Sequence, residues 1–106
     1  VWGDIVRWTL NSMIIAEELG ITSDNAAAMA ADADASAGVK RLLGVEGGYG
    51  SMLGLADDAF LNSLSQVGNY GESFDRNVGP ETAVGLDRGL NALWTDGGIL
   101  YAPPFR

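Results

Sequence analysis

The chain contains neither cysteine nor histidine, which removes disulfides, thiolate chemistry, imidazole acid–base catalysis and the usual zinc ligands together. Basic residues are scarce: six stand against fourteen acids, for a net charge of −8 and a pI near 4.1. Such a surface repels phosphate backbones and anionic lipid, so neither nucleic acid nor a membrane surface is expected as a partner. Long apolar runs are missing too, and none approaches the roughly 20 residues a membrane-spanning helix needs. The lack of cysteine suits cytosol and periplasm alike. With no initiator methionine, charged leader or signal-type stretch before Val1 and Trp2, the N-terminus is expected to be a cut in a longer chain. Glycine, by contrast, is plentiful: fifteen in 106 residues predict frequent punctuation rather than long smooth helices. That length is one domain's worth, able to bury roughly two-thirds of its unfolded surface around one core.

Residues 4–19, DIVRWTLNSMIIAEEL, read as a helix opened by Asp4 and closed by Gly20 with the apolar Ile21 behind it. Its apolar positions, from Ile5 to Leu19, cover a wider arc than a single stripe, which predicts burial on two sides. TSDN at 22–25 supplies an N-cap for an alanine-rich, weakly packed helix over 25–37. Ser36 caps a further short helix through Leu43, closed by Gly44 and Val45 in the same glycine-then-apolar manner. The stretch GVEGGYGSMLGLADD reads as a connector with one helical turn near Met52 and Leu53.

From Asp57, the residues Phe60, Leu64, Val67, Gly71, Phe74 and Val78 recur at helical spacing and predict one helix over 57–78. Gly68 and Gly71 inside it would cost about 1 kcal/mol each relative to alanine, which implies close backbone approach or a kink at VGNYGE. A last helix is predicted over 86–94, ended by Gly97 and Gly98. No sustained alternation of period two occurs. The fold class is therefore all-α, a small irregular helical domain of about four to five helices with glycine-rich connectors.

No catalytic constellation stands out. DADAS at 32–36 spaces oxygens as a calcium loop does, but Ala37 and Leu43 stand where that loop needs glycine and glutamate. The glycines at 44, 47, 48, 50 and 54 lack the third glycine of a dinucleotide fingerprint and a Walker lysine, and follow a helical VKRLL rather than a strand. Ser36 and Lys40 are the one serine–lysine pair that a helix would bring close. The carboxylate pairs Glu17/Glu18 and Asp57/Asp58 diverge, as adjacent helical positions must, and read as solubility and dipole compensation. Glu72 and Arg76 read as an exposed i, i+4 ion pair. Trp8, Tyr70, Phe74, Trp94, Tyr101 and Phe105 are read as packing or interface anchors rather than a ligand pocket. The apolar tail WTDGGILYAPPFR is expected to dock on the glycine-bearing face of the 57–78 helix or on a neighbouring domain.

Taken in order, IVRWTL at 5–10, AEELGITSDN at 16–25, RLLGVEG at 41–47, VGNYGESFDRNVG at 67–79, GLNALW at 89–94 and GGILYAPPFR at 97–106 cover nearly the whole chain. Together they resemble the C-terminal part of periplasmic solute-binding proteins of general L-amino-acid ABC transporters, the group that includes glutamate/glutamine/aspartate/asparagine-binding proteins. The resemblance implies a parent with two α/β lobes on a hinge, which closes on an amino acid and delivers it to a membrane permease. It also implies that residues 1–21 return along the parent's first lobe and that 22–106 form a C-terminal helical extension. The family's amino-acid clamp, an arginine and an acid, maps onto no residue here. Two departures stand out: 26–37 is richer in alanine than the family pattern, and Ser73 replaces a bulkier apolar residue.

The resemblance thus implies a periplasmic, non-catalytic segment of a binding protein, scaffolding rather than ligand-contacting. Catalytic residues, metal ligands and cofactors are not expected. Its partners are the upstream lobes and, through them, the permease, with the L-amino acid bound by the parent. Isolated, the segment is expected to bury its apolar surfaces in a homodimer or domain swap. The alternative is a stand-alone helical interaction or oligomerisation module.

Overall fold

The computed structural model describes residues 2–45 and 49–103. Among them, the chain forms six α-helices and no strand: α1 Trp2–Leu19, α2 Ala26–Ala31, α3 Ala37–Leu42, α4 Tyr49–Met52, α5 Ala59–Val67 and α6 Tyr70–Val78. Two 3₁₀ turns, Gly89–Asn91 and Trp94–Asp96, follow. No described helix is long and apolar enough to cross a membrane.

Glycine-then-apolar pairs end the helices where expected. After α1, Ile21 N donates to Ala16 O at 2.8 Å and Gly20 N to Glu17 O at 3.2 Å, with Gly20 at φ +75°. This is the six-to-one and five-to-two pattern of a Schellman motif, which the missing Cβ of glycine permits. Gly44 with Val45, and Gly54 with Leu55, repeat it after α3 and α4. Ser36 caps α3 as expected, its Oγ accepting from Val39 N at 3.3 Å.

The second half of α1 enters the core with Ile14, Ile15 and Ala16, joined by Ile21, Ala26, Val39, Leu42, Leu43, Phe60, Leu64, Leu93 and Ala102. Helix α1 packs on α3, α5 and α6, while α2 packs on α3 and α5. The first half of α1 is different: Trp2, Val6 and Leu10 are 79%, 65% and 46% exposed. The two-sided burial that the apolar arc predicts is therefore not completed by the described residues.

Several expectations are corrected. The alanine-rich helix spans only Ala26–Ala31, because the chain turns extended at Asp32 (ψ 112°), whose Oδ1 accepts from Asp34 N at 2.9 Å. The helix predicted over 57–78 is two helices. Gly68, at φ +91°, breaks the ladder, and Asn69 restarts it as the N-cap of α6. Asp57 does not cap α5; its carboxylate accepts from the Ser51 hydroxyl, while Asp58 stands at the N-cap position.

No α-helix forms over 86–94 either, only the 3₁₀ turn at Gly89–Asn91, because backbone groups there find partners in the tail. Ile99 N donates to Leu90 O, Leu100 N to Ala92 O and Trp94 N to Leu100 O, at 2.9, 3.1 and 2.9 Å. The described part of the tail, up to residue 103, does not dock on Gly71 of α6, which faces Glu17 and Arg88. Ala102 is buried and Leu100 packs on the core, beside a cleft lined by Ile15 and Leu19 of α1 and by Gly38 and Leu42 of α3.

Candidate functional site

The end of α1 presents Glu17 and Glu18 in different directions, as adjacent helical positions must. Each holds a different part of the C-terminal segment, a role that a reading as surface solubility misses. Glu17 takes Arg88 in a bidentate pair, Nη1 to Oε2 at 2.6 Å and Nη2 to Oε1 at 2.8 Å. The guanidinium also donates to Asn91 O, and its Cζ lies 5.3 Å from the Tyr70 ring centroid and 5.5 Å from that of Phe74. The hydrogen bonds it donates to the Glu17 carboxylate hold the Arg88 pKa above its ordinary value, against the opposing effect of burial. Planar fork, carboxylate and aromatic faces together suit arginine and not lysine.

Gly71 of α6 makes room for this pair. A Cβ there would stand 2.5 Å from Glu17 Oε2 and 3.0 Å from Arg88 Nη1. Gly71 therefore admits two side chains where the sequence suggests close backbone approach.

A second hub fastens the loop after α1 to the start of α6. Asn69 and Glu72 form a capping box: Glu72 N donates to Asn69 Oδ1 at 2.9 Å and Asn69 N to Glu72 Oε1 at 3.0 Å. Glu72 also accepts from Ser23 N at 3.0 Å and Ser23 Oγ at 2.7 Å, and Asn69 Nδ2 donates to Ile21 O at 2.8 Å. The expected Glu72–Arg76 pair is not made, because the carboxylate is occupied and Arg76 donates to Val67 O at 3.1 Å. The N-x-x-E spacing at 69–72 is a readable capping signal, whereas nothing local announces Ser23 across 49 residues.

Burial alone would raise the Glu72 pKa, yet the bonds from Asn69 and Ser23 and the nearby Arg76 charge together bring it below its ordinary 4.5. A lowered folded-state pKa adds stability above the unfolded value, and this is lost as pH falls through the folded one. The urea midpoint should therefore decline on acidification below about pH 4.5, and less steeply in Glu72→Gln. Parallel pH profiles for the two proteins would contradict this.

The six aromatic positions do not meet at one place. Trp8 and Tyr70 are half-buried against the core and Phe74 is buried. Trp94 and Tyr101 are exposed and meet edge to face, with ring centroids 6.0 Å apart. Phe105 lies outside the described residues. Trp94 and Tyr101 border the cleft beside the tail, about 270 Å³ in volume, where Glu18 accepts the Trp94 indole N–H at 2.8 Å.

The weaker motifs resolve into local structure. Asp32 Oδ1 accepts from Asp34 N at 2.9 Å in a tight turn, and no group of metal-ligating side chains gathers among the described residues. Ser36 serves as the α3 cap. Of the glycine-rich loop, Gly47 and Gly48 lie outside the described residues, while Gly50 belongs to α4 and Gly44 and Gly54 end helices.

No protein-family model matches the chain. It is 50% identical over 105 residues to the glutamate/glutamine/aspartate/asparagine-binding protein BztA of Rhodobacter capsulatus, a match covering 99% of this chain and 31% of that protein. The putative amino-acid ABC transporter-binding protein YhdW of Escherichia coli is also 50% identical, with 99% and 30% covered. The general L-amino acid-binding periplasmic protein AapJ of Rhizobium johnstonii is 48% identical over 107 residues, with 99% and 31% covered. Among solved structures, an ABC transporter/periplasmic binding protein from Brucella ovis with glutathione bound matches with a TM-score of 0.91 and 44% identity. That match covers 99% of this chain and 33% of the Brucella chain. The chain thus spans about a third of the length of each relative.

Proposed function

We propose, for a chain that is a segment of the periplasmic binding proteins of amino-acid ABC transporters, a non-catalytic scaffolding role. It is a helical extension that packs on the remainder of a periplasmic amino-acid-binding protein and leaves the transported amino acid to that remainder. The whole protein would serve an ABC importer through its membrane permease.

The observation that carries this reading is the uncovered stripe of α1. Trp2, Val6 and Leu10 stand four residues apart on one helical face and are largely exposed, in a chain spanning 31% of BztA. Fully burying a Val or Leu side chain contributes roughly 1.5–3 kcal/mol, so this stripe is a strong seat for the missing part. The polar constellations support the second half of the proposal. Glu17 with Arg88, and Glu72 with Ser23 and Asn69, are closed on one another and present no free arginine–acid clamp to an α-amino acid.

The test is a calorimetric titration of the 106-residue chain with L-glutamate, L-glutamine, L-aspartate and L-arginine, on material whose circular dichroism is helical. Silence is expected. Saturable, stereospecific heat would place a recognition site within this segment and overturn the proposal.

A further inference from the structure

The cleft beside the tail is lined by none of the α1 stripe residues Trp2, Val6 and Leu10, and its chemistry is specific. Its floor is aliphatic, formed by Ile15, Leu19 and Leu42, and Glu18 is the charged residue among those that line it. The rim is aromatic: Trp94 is 53% and Tyr101 59% exposed. Both the side chain and the backbone of Trp94 are fixed, its indole N–H by Glu18 Oε1 at 2.8 Å and its backbone N by Leu100 O at 2.9 Å. A carboxylate, an indole and a phenol ring are thereby held at one edge of an apolar hollow.

From this arrangement we propose that the cleft binds a small primary alkylammonium ion. The ammonium sits at the rim, against the Glu18 carboxylate and the faces of Trp94 and Tyr101, and the alkyl chain lies on Ile15, Leu19 and Leu42. Aromatic faces attract cations through their quadrupole, and the carboxylate supplies the counter-charge with no basic residue among the described lining residues to compete for it. The same features reject anions, as does the net charge of −8. At roughly 30 Å³ for each water-sized group, a volume of about 270 Å³ takes about nine heavy atoms, so chains of five or six carbons fit. The lining residues described all belong to this chain, and the proposal does not depend on the scaffolding role.

The test titrates n-pentylammonium into the full-length protein that carries this segment and follows the indole N–H resonance of Trp94, assigned by its loss in Trp94→Phe. A saturable shift is expected. Glu18→Gln, which keeps an oxygen acceptor for the Trp94 indole N–H but removes the charge, should weaken binding about tenfold. n-Pentanol should bind about tenfold more weakly than the amine, and pentanoate should not shift the resonance. The proposal is overturned if the resonance stays fixed at tens of millimolar amine, if pentanol binds as well as the amine, or if Glu18→Gln binds like the wild type. A response only to a lysine-bearing peptide would also overturn it, making the cleft a protein-docking surface.

Discussion

An Arg88→Met chain is expected to be about 2–3 kcal/mol less stable than the wild type, a fall in melting temperature of roughly 10–20 °C for a domain of this size. The magnitude follows from where the pair sits. Exposed ion pairs contribute up to about 1 kcal/mol, and breaking a fully buried one costs about 3–5 kcal/mol. The Arg88 and Glu17 side chains are 21% and 19% exposed, between those limits and nearer the second. Methionine keeps most of the apolar stem, so the loss reports the guanidinium: two bonds to Glu17, two to Asn91 O and its position over Tyr70 and Phe74. Glu17 is left partly desolvated with nothing to balance it. Arg88→Lys, which keeps the charge but not the fork, should recover less than half of the loss. A urea-measured loss below about 0.5 kcal/mol for Arg88→Met would mean that solvent screens the pair like any surface bridge.

That pair marks the boundary of what sequence reasoning reaches here. The devices it reads well are those closed within one or two turns of chain. Gly20 with Ile21 and Gly44 with Val45 announce Schellman endings, and Ser36 announces a cap, because donor, acceptor and permissive φ all lie within a few residues. The Arg88–Glu17 bond spans 71 positions and the Trp94–Glu18 bond 76. No periodicity or motif encodes either, and both carboxylates look like ordinary surface acids until the tail is folded back on them.

The predicted helix over 86–94 fails for a related reason. Its apolar spacing is real, but local propensity cannot weigh intrahelical bonds against bonds to a tail several residues further on. The ladder from Leu90, Ala92 and Trp94 to Ile99 and Leu100 wins, holding Leu93 and Ala102 in the core and bringing Trp94 beside Tyr101. The cleft is thus a consequence of the non-helical outcome. A continuous helix would carry the indole elsewhere and leave Glu18 without its partner.

The break between α5 and α6 is the other place where periodicity misleads, and Asn69 is the residue to change. Asn69→Ala is expected to cost about 2–3 kcal/mol, as the sum of two losses. Removing an N-cap side chain costs roughly 0.5–2 kcal/mol, and leaving a buried carbonyl without its donor costs about 1–3 kcal/mol. Asn69 is 6% exposed and does both jobs, accepting from Glu72 N and donating to Ile21 O. Asn69→Ser separates them: the hydroxyl can still cap α6 but is too short to reach Ile21, so about half of the loss should remain. The comparison also asks what breaks the helix. If the side chain of Asn69 sets the restart, the alanine variant loses stability and gains no helix by circular dichroism. If it instead gains helical signal at unchanged stability, α5 and α6 have fused along the 60–64–67–71–74–78 face, Gly68 does not enforce the break, and the Asn69 hub is dispensable.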